Sequence, residues 1–182
     1  MKQVFLFLAE GFEEIEAIAT VDILRRAGIS VKTISITNQL PVAGAHQITI
    51  KADQLFSQTD FNHAAMLILP GGMPGTRNLQ QFQPLTELIK RFAEENKYLA
   101  AICAAPSIYG EMGLLNGKEA TCYPGFEKEL IGAIHSNKPV VVSDQIITSS
   151  GPGTAFPFAL KLVEILTDKN TTSNVAKGML LA

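Results

Sequence analysis

Four groups of residues in this 182-residue chain have side chains or backbone suited to covalent or proton-transfer chemistry: Cys103; the glutamates Glu13, Glu14 and Glu16; the glycine pair Gly71 and Gly72; and His46. Cys103 follows the apolar run Tyr98-Leu-Ala-Ala-Ile and precedes Ala104, Ala105, Pro106 and Ser107. An apolar run of that length, after polar Asn96 and Lys97, predicts a buried strand. The residues beyond the cysteine predict a helix with a proline in its first turn, where the missing N–H costs nothing. Cys103 then sits at a strand-to-helix turn, the position of the nucleophile elbow in other folds. N–H groups of the helix's first turn and the helix dipole favour an anionic sulfur there, so a lowered thiol pKa is expected. A lone buried cysteine is most often a small core residue. The strand-turn-helix placement is what argues for chemistry at this one.

The elements needed to position these groups follow from the chain in order. Residues 4–8 are continuously apolar, a strand covered on both faces. Residues 13–27 carry an apolar stripe of Ile15, Ile18, Ala19, Val21 and Leu24 and are stopped by Gly28, which predicts a helix. Strands are expected at 31–36, 64–69 and 98–102, and a β-excursion around Gly44, carrying His46, at 41–50. Residues 53–62 read as a loop with about one helical turn. Residues 78–96 are expected to be helical from about Pro84, with Leu85, Leu88, Ile89 and Phe92 on one face. A short strand at 120–123 holds Cys122, which reads as packing. Residues 140–142 and 146–148 suggest a hairpin, and helices are expected up to Leu166 and over 174–181. Strands alternating with helices predict a mainly parallel sheet with helices on both faces. No linker, repeat or low-complexity run interrupts residues 1–182, which read as one domain.

In such a sheet the ligand crevice lies at the carboxyl ends of the strands. The first strand there leads to the glutamates, another to Gly71 and Gly72, and a third to Cys103. Glycine lets backbone N–H groups approach a ligand closely. Gly71 and Gly72 beside the N–H groups of Cys103 and Ala104 would make an oxyanion hole. Neither feature is decisive alone: a Gly-Gly is usually a plain turn, and glutamates opening a helix usually match its dipole.

Composition narrows the function. The chain is 47% hydrophobic and 18% charged with a formal net charge of −2, and no basic patch supports nucleic-acid binding. No apolar run is long enough for a membrane span. The first nine residues resemble a short signal peptide, but Glu10, Glu13, Glu14 and Glu16 follow with no small-residue cleavage site, so the segment reads as the first strand. Cys103 and Cys122 give no disulfide framework, and a reducing cytoplasm is the default setting. No His/Cys/Asp spacing suggests a metal site, no cofactor motif is present, and His63 and His135 lie in polar segments and read as surface.

Four motifs, Ala101-Ile-Cys-Ala-Ala-Pro106, Leu69-Pro-Gly-Gly72, Glu13-Glu-Ile-Glu16 and Ser150-Gly-Pro-Gly-Thr154, resemble those of the ThiJ/PfpI superfamily, in the branch of the parkinsonism-associated protein deglycase and YajL. The resemblance spans nearly the whole chain, in order. It implies a flavodoxin-like three-layer α/β/α sandwich of the class I glutamine amidotransferase type, a homodimer, no cofactor, and a reactive cysteine beside a buried glutamic acid. By position Cys103 matches the nucleophile and Glu16 the glutamic acid, while Gly72 and Ala104 match the residues whose N–H groups bind the substrate oxyanion. Two positions depart from the pattern. Tyr123-Pro124 stands where some members have His-Pro, so no Cys-His dyad forms there. His46 stands where the branch often has a pocket arginine, either replacing the lost imidazole or lining the pocket; Tyr123 is a further candidate for the substrate pocket.

The chemistry available to a thiolate so placed is attack on an aldehyde carbon, such as that of methylglyoxal or a glycated adduct, with backbone N–H groups holding the oxyanion. Conversion to a hydroxyacid needs a proton moved between adjacent carbons, and Glu16 is the best candidate for that task. A carboxyl buried against a thiolate should have a raised pKa. Two other readings compete. One is a redox sensor or chaperone in which Cys103 oxidises to a sulfinate. The other is a peptidase or amidase, disfavoured because no histidine is placed to protonate a poor leaving group.

Overall fold

The computed structural model describes residues 3–181. Its strands are β1 (Gln3–Leu8), β2 (Ser30–Ser35), β3 (Pro41–Ala43), β4 (Thr49–Lys51), β5 (Gln54–Leu55), β6 (Ala64–Leu69), β7 (Tyr98–Ile102), β8 (Glu119–Ala120), β9 (Ile134–His135), β10 (Val140–Ser143) and β11 (Ile146–Ser149). The helices are α1 (Glu14–Arg26), α2 (Gly75–Gln81), α3 (Gln83–Glu94), α4 (Pro106–Glu111), α5 (Ala155–Leu166) and α6 (Lys169–Gly178). Seven strands form the main sheet in the order β10-β11-β7-β6-β1-β2-β5. Every neighbouring pair is parallel except β10–β11.

Period-two alternation sorts the central strands onto two cores. Val4, Leu6 and Leu8 of β1, Met66 and Ile68 of β6 and Ala100 and Ile102 of β7 face Leu24 of α1 and Phe158, Leu162 and Val163 of α5. Phe5, Phe7, Leu67, Leu69, Leu99 and Ala101 face the opposite way, onto Leu85, Ile89 and Phe92 of α3 and Ile108 and Tyr109 of α4. Both faces are covered by helices, which is why these strands read as unbroken apolar runs. The result is the flavodoxin-like α/β/α sandwich expected from the sequence.

Several boundaries differ from expectation. The helical stretch after Gly72 is two helices, α2 and α3, hinged at Phe82. The segment at 53–62 holds β5 as well as a 3-10 turn, Phe56–Gln58. The last helix begins at Lys169, not 174, because Asp168 caps it by accepting the Thr171 N–H at 2.8 Å. Cys122 is not on a strand. The strand β8 stops at Ala120; the Thr121 N–H goes to the Thr148 hydroxyl and the Tyr123 N–H to the Cys103 carbonyl, which takes the donors on either side of Cys122 out of a ladder.

Candidate active site

Strand β7 delivers Cys103, and β11 fixes it: the Cys103 N–H donates to the Ser149 carbonyl at 2.9 Å. Its own carbonyl accepts from the Tyr123 N–H at 2.8 Å. The chain then reverses into α4, whose Pro106 needs no donor, and Cys103 takes φ 66°, a left-handed value that strains a residue bearing a Cβ. This is the elbow that the strand-turn-helix pattern predicted. The residue is buried, 8% exposed.

Glu16 reaches the same point from the first turn of α1. It is fully buried, and its Oε2 accepts the Gly71 N–H at 2.7 Å. The two side chains meet beside Gly71. A Cβ on it would stand 2.6 Å from the Cys103 Cβ, 2.9 Å from Glu16 Oε2 and 3.0 Å from the sulfur, so a methyl group has no place there. Gly72 has φ 89°, and a Cβ on it would strike the Glu13 N–H nitrogen at 2.4 Å. Two backbone N–H groups, those of Gly72 and Ala104, favour the anionic form of the sulfur. The other N–H groups expected in the oxyanion hole are spent elsewhere: that of Gly71 on Glu16, that of Cys103 on Ser149.

Electrostatics corrects one expectation. The Cys103 thiol is pushed up, not down, from its ordinary pKa. Burial is the main cause, followed by the charge of Glu16 and the contact with its carboxyl, and together these outweigh the two N–H groups. Glu16 is itself raised from an ordinary 4.5 to about 7, chiefly by burial, with Glu13 adding to the rise while the Gly71 N–H and the Cys103 contact oppose it. The coupling runs one way in sign: ionised Glu16 raises the Cys103 thiol, whereas the contact with the neutral thiol favours the ionised carboxyl.

His46 lies on the β3–β4 crown, docked beside the start of α1. Its Nδ1 is 2.9 Å from Glu14 Oε2 and 3.7 Å from Glu13, while its side chain is 68% exposed. The buried Glu14 carboxylate also accepts the His46 N–H at 2.7 Å and the Ile48 N–H at 3.3 Å. Burial drives Glu14 up, but the imidazole and the N–H donors outweigh it and hold the carboxyl below its ordinary value. The same hydrogen bond, with the charge of Glu13, raises His46. No sequence spacing announced this grouping, in which Glu13, Glu14 and His46 offer ligand atoms within 4.8 Å of one another. Gly44 was its one trace in the sequence: a Cβ there would overlap Glu14 Oε1 at 2.3 Å.

Tyr123 is 46% exposed, and its ring lies against Gly151, whose Cβ would meet it at 3.1 Å. Tyr123 and Gly151 wall a cavity of about 360 Å³ that Glu127 and His135 also line, and Cys103 is not in its lining. A second cavity, about 300 Å³ between α1 and β4, is bordered by Ile18, Val21, Arg25 and Ile50 and also excludes Cys103. Cys122 is buried beside Glu127 and Glu129; burial first, then those carboxylates, push its thiol up to about 12. His63 and His135 are exposed, as expected.

A family model described as DJ-1/PfpI matches residues 2–165. Among named relatives, Protein DJ-1 homolog B of Arabidopsis thaliana is 37% identical over 182 residues, which cover 99% of this chain and 42% of that protein. The chain therefore spans less than half the length of that plant relative. The Glutathione-independent glyoxalase DJR-1.2 of Caenorhabditis elegans is 34% identical over 175 residues, covering 95% of this chain and 92% of that one. Among solved structures, "Toxoplasma gondii DJ-1, oxidized" superposes with a TM-score of 0.95 at 36% identity over the whole of both chains. A match over most of the chain, together with full-length likeness in sequence and fold, shows that it belongs to the DJ-1/PfpI family.

Proposed function

We propose that this protein is a cofactor-independent enzyme that converts reactive dicarbonyls, or releases their adducts, through a covalent intermediate on Cys103. One observation carries the reading: the Cys103 sulfur and the buried carboxyl of Glu16 meet beside Gly71, where a single Cβ would touch both, and the N–H groups of Gly72 and Ala104 favour the sulfur's anion. The glyoxalase name borne by the worm relative supports it.

The steps balance without an external oxidant or reductant. Glu16 holds the proton while the thiolate adds to the aldehyde carbon of methylglyoxal, and the carbonyl oxygen becomes an oxyanion bound by Gly72 and Ala104. Protonation of that oxygen gives a hemithioacetal. Glu16, then ionised, takes the C1 proton and returns it to C2 through an enediolate while the C1 hydroxyl proton passes to the C2 oxygen, leaving a thioester. Water cleaves the thioester to lactate and restores the thiol. A carboxyl with a pKa of about 7 is suited to both giving and taking a proton near neutrality. The assay is lactate formation by the purified protein, run beside peptide hydrolysis and suppression of client aggregation. Lactate production that depends on Cys103 supports the reading, and its absence at every pH from 6 to 9 rejects it.

A homodimer working in the cytoplasm completes the proposal. Ile15, Ile18 and Ile48 are 53%, 46% and 54% exposed around the start of α1 and the β3–β4 crown, an apolar surface suited to a second copy. No helix among the described residues is long and apolar enough to cross a membrane.

A further inference from the structure

Three buried side-chain atoms among the described residues have no hydrogen-bond partner: Glu16 Oε1, Thr20 Oγ1 and Thr76 Oγ1. Two of them stand one turn apart on α1. Residues at i and i+4 on a helix have Cβ atoms about 5–6 Å apart on one face. Helical side chains also lean toward the N-terminus, so Thr20 lies over the turn that carries Glu16. Both residues are 0% exposed, so neither oxygen reaches bulk solvent.

A helical threonine usually satisfies its hydroxyl on the carbonyl four residues back. Thr167 does so on Val163 at 2.7 Å, and Thr172 on Asp168 at 2.9 Å. Thr20 does not use the Glu16 carbonyl and keeps an uncommitted donor. Glu16 lacks one: Oε2 has the Gly71 N–H, whereas the titratable groups facing the carboxyl are Glu13 on its own helix and Cys103 on the β7–α4 turn. An ionised carboxylate in such a site is costly unless its second oxygen also accepts a hydrogen bond.

We propose that Thr20 is a positioning residue for Glu16, its hydroxyl turning by one staggered χ1 step to donate to Oε1 whenever the carboxyl is ionised. The inference rests on the reading of Glu16 as the acid/base group, in that its catalytic meaning depends on it; the hydrogen bond itself does not. Thr20 touches neither substrate nor sulfur in this account. It sets how readily Glu16 gives up and regains its proton.

The test follows the Glu16 carboxyl carbon by ¹³C NMR against pH in a Cys103→Ala background, where Glu16 titrates without its coupled partner and no turnover is needed. The Glu16 signal is assigned with Glu16→Gln. Thr20→Val, which keeps shape and loses the donor, should raise the Glu16 midpoint by about one pH unit, the size expected for a hydrogen bond to a charged group. Thr20→Ser should restore the original midpoint. Thr20→Ala gives the same comparison if valine is not tolerated in the fold. A Glu16 midpoint that Val or Ala leaves unmoved, or that Ser shifts as far as they do, overturns the proposal. With Cys103 present, the ionisation of Glu16 seen in the pH dependence of lactate formation should move the same way. If the NMR midpoint shifts and the rate profile does not, the hydrogen bond stands and the acid/base role of Glu16 falls.

Discussion

The Gly71 N–H meets Glu16 Oε2 at 2.7 Å, and this one bond joins the loop that supplies Gly72 to the helix that supplies the carboxyl. Because Gly71 also keeps the space between Glu16 and the Cys103 sulfur clear, the acid and the thiol stand on one local frame.

Glu16→Gln preserves the size of the side chain and an acceptor for Gly71 but cannot shuttle a proton. Dicarbonyl turnover should fall by ~100- to 10,000-fold, the usual worth of a placed acid/base group. Cys103→Ser should lose at least as much. His46→Ala tests the rival base: if it alone abolishes lactate formation while Glu16→Gln stays near wild type, the imidazole moves the proton.

Stability should fall as pH rises through the Glu16 range. Its folded pKa of about 7 exceeds the ordinary 4.5, so the folded state binds more protons between those values. Below 4.5 both states are protonated and the penalty is absent; above 7 both are ionised and it is complete, on the order of 3 kcal/mol. Urea melts of wild type and Glu16→Gln at pH 4.5 and 8 read this directly. The variant should gain relative to wild type at the higher pH, and a difference that is flat or reversed rejects the burial argument.

Thiol labelling should single out Cys103. Burial and neighbouring carboxylates raise both thiols, Glu16 at Cys103 and Glu127 with Glu129 at Cys122, so the selectivity rests on the Gly72 and Ala104 N–H groups, which favour the Cys103 anion once Glu16 is protonated. Limiting iodoacetamide at pH 7, read by peptide mass spectrometry, should modify mainly Cys103. Equal labelling would contradict the geometry.

The imidazole of His46 should titrate above its ordinary value, because Glu14 hydrogen-bonds it and Glu13 lies close. Glu14→Gln should lower the His46 midpoint toward that of a free histidine in ¹H NMR. Gly44→Ala, which drives a methyl into the Glu14 carboxylate, should do the same. A midpoint indifferent to both substitutions would show that the crown is not held by Glu14 in solution.

Light scattering at micromolar concentration should give a mass about twice 19.6 kDa. Ile18→Glu, on the exposed apolar face of α1, should return the monomer mass; wild type already at 19.6 kDa would remove the dimer.

Much of this arrangement is legible in the sequence because it is local. The runs ending at Leu8, Leu69 and Ile102 declare strands buried on both faces, and Pro106 after Cys103 marks the helix that makes the elbow. What escapes the sequence is set by partners distant in the chain. The direction of the Cys103 shift depends on Glu16 and on burial, neither of which the strand-turn-helix pattern contains. The clasp between Glu14 and His46 joins positions 32 residues apart. Cys122 follows residues with strand propensity, but the donors on either side of it are taken by Thr148 and Cys103. The start of α6 was concealed by the polar, weakly helical run at residues 169–174, although Asp168 was there to cap it.

The parallel pairing of β1, β6, β7 and β11 also bears on how the chain acquires its chemistry. No two of those strands can be joined by a hairpin; each contact must wait for a crossover, and within the seven-stranded sheet the one local antiparallel pair is β10–β11. The sulfur, the carboxyl and the donor groups of Gly72 come from three different crossovers, so they converge only after the long-range sheet has formed. In refolding from denaturant, far-UV ellipticity should therefore recover ahead of the native Glu16 titration. Nascent chains lacking β11 should carry a thiol that alkylates like that of an unstructured peptide.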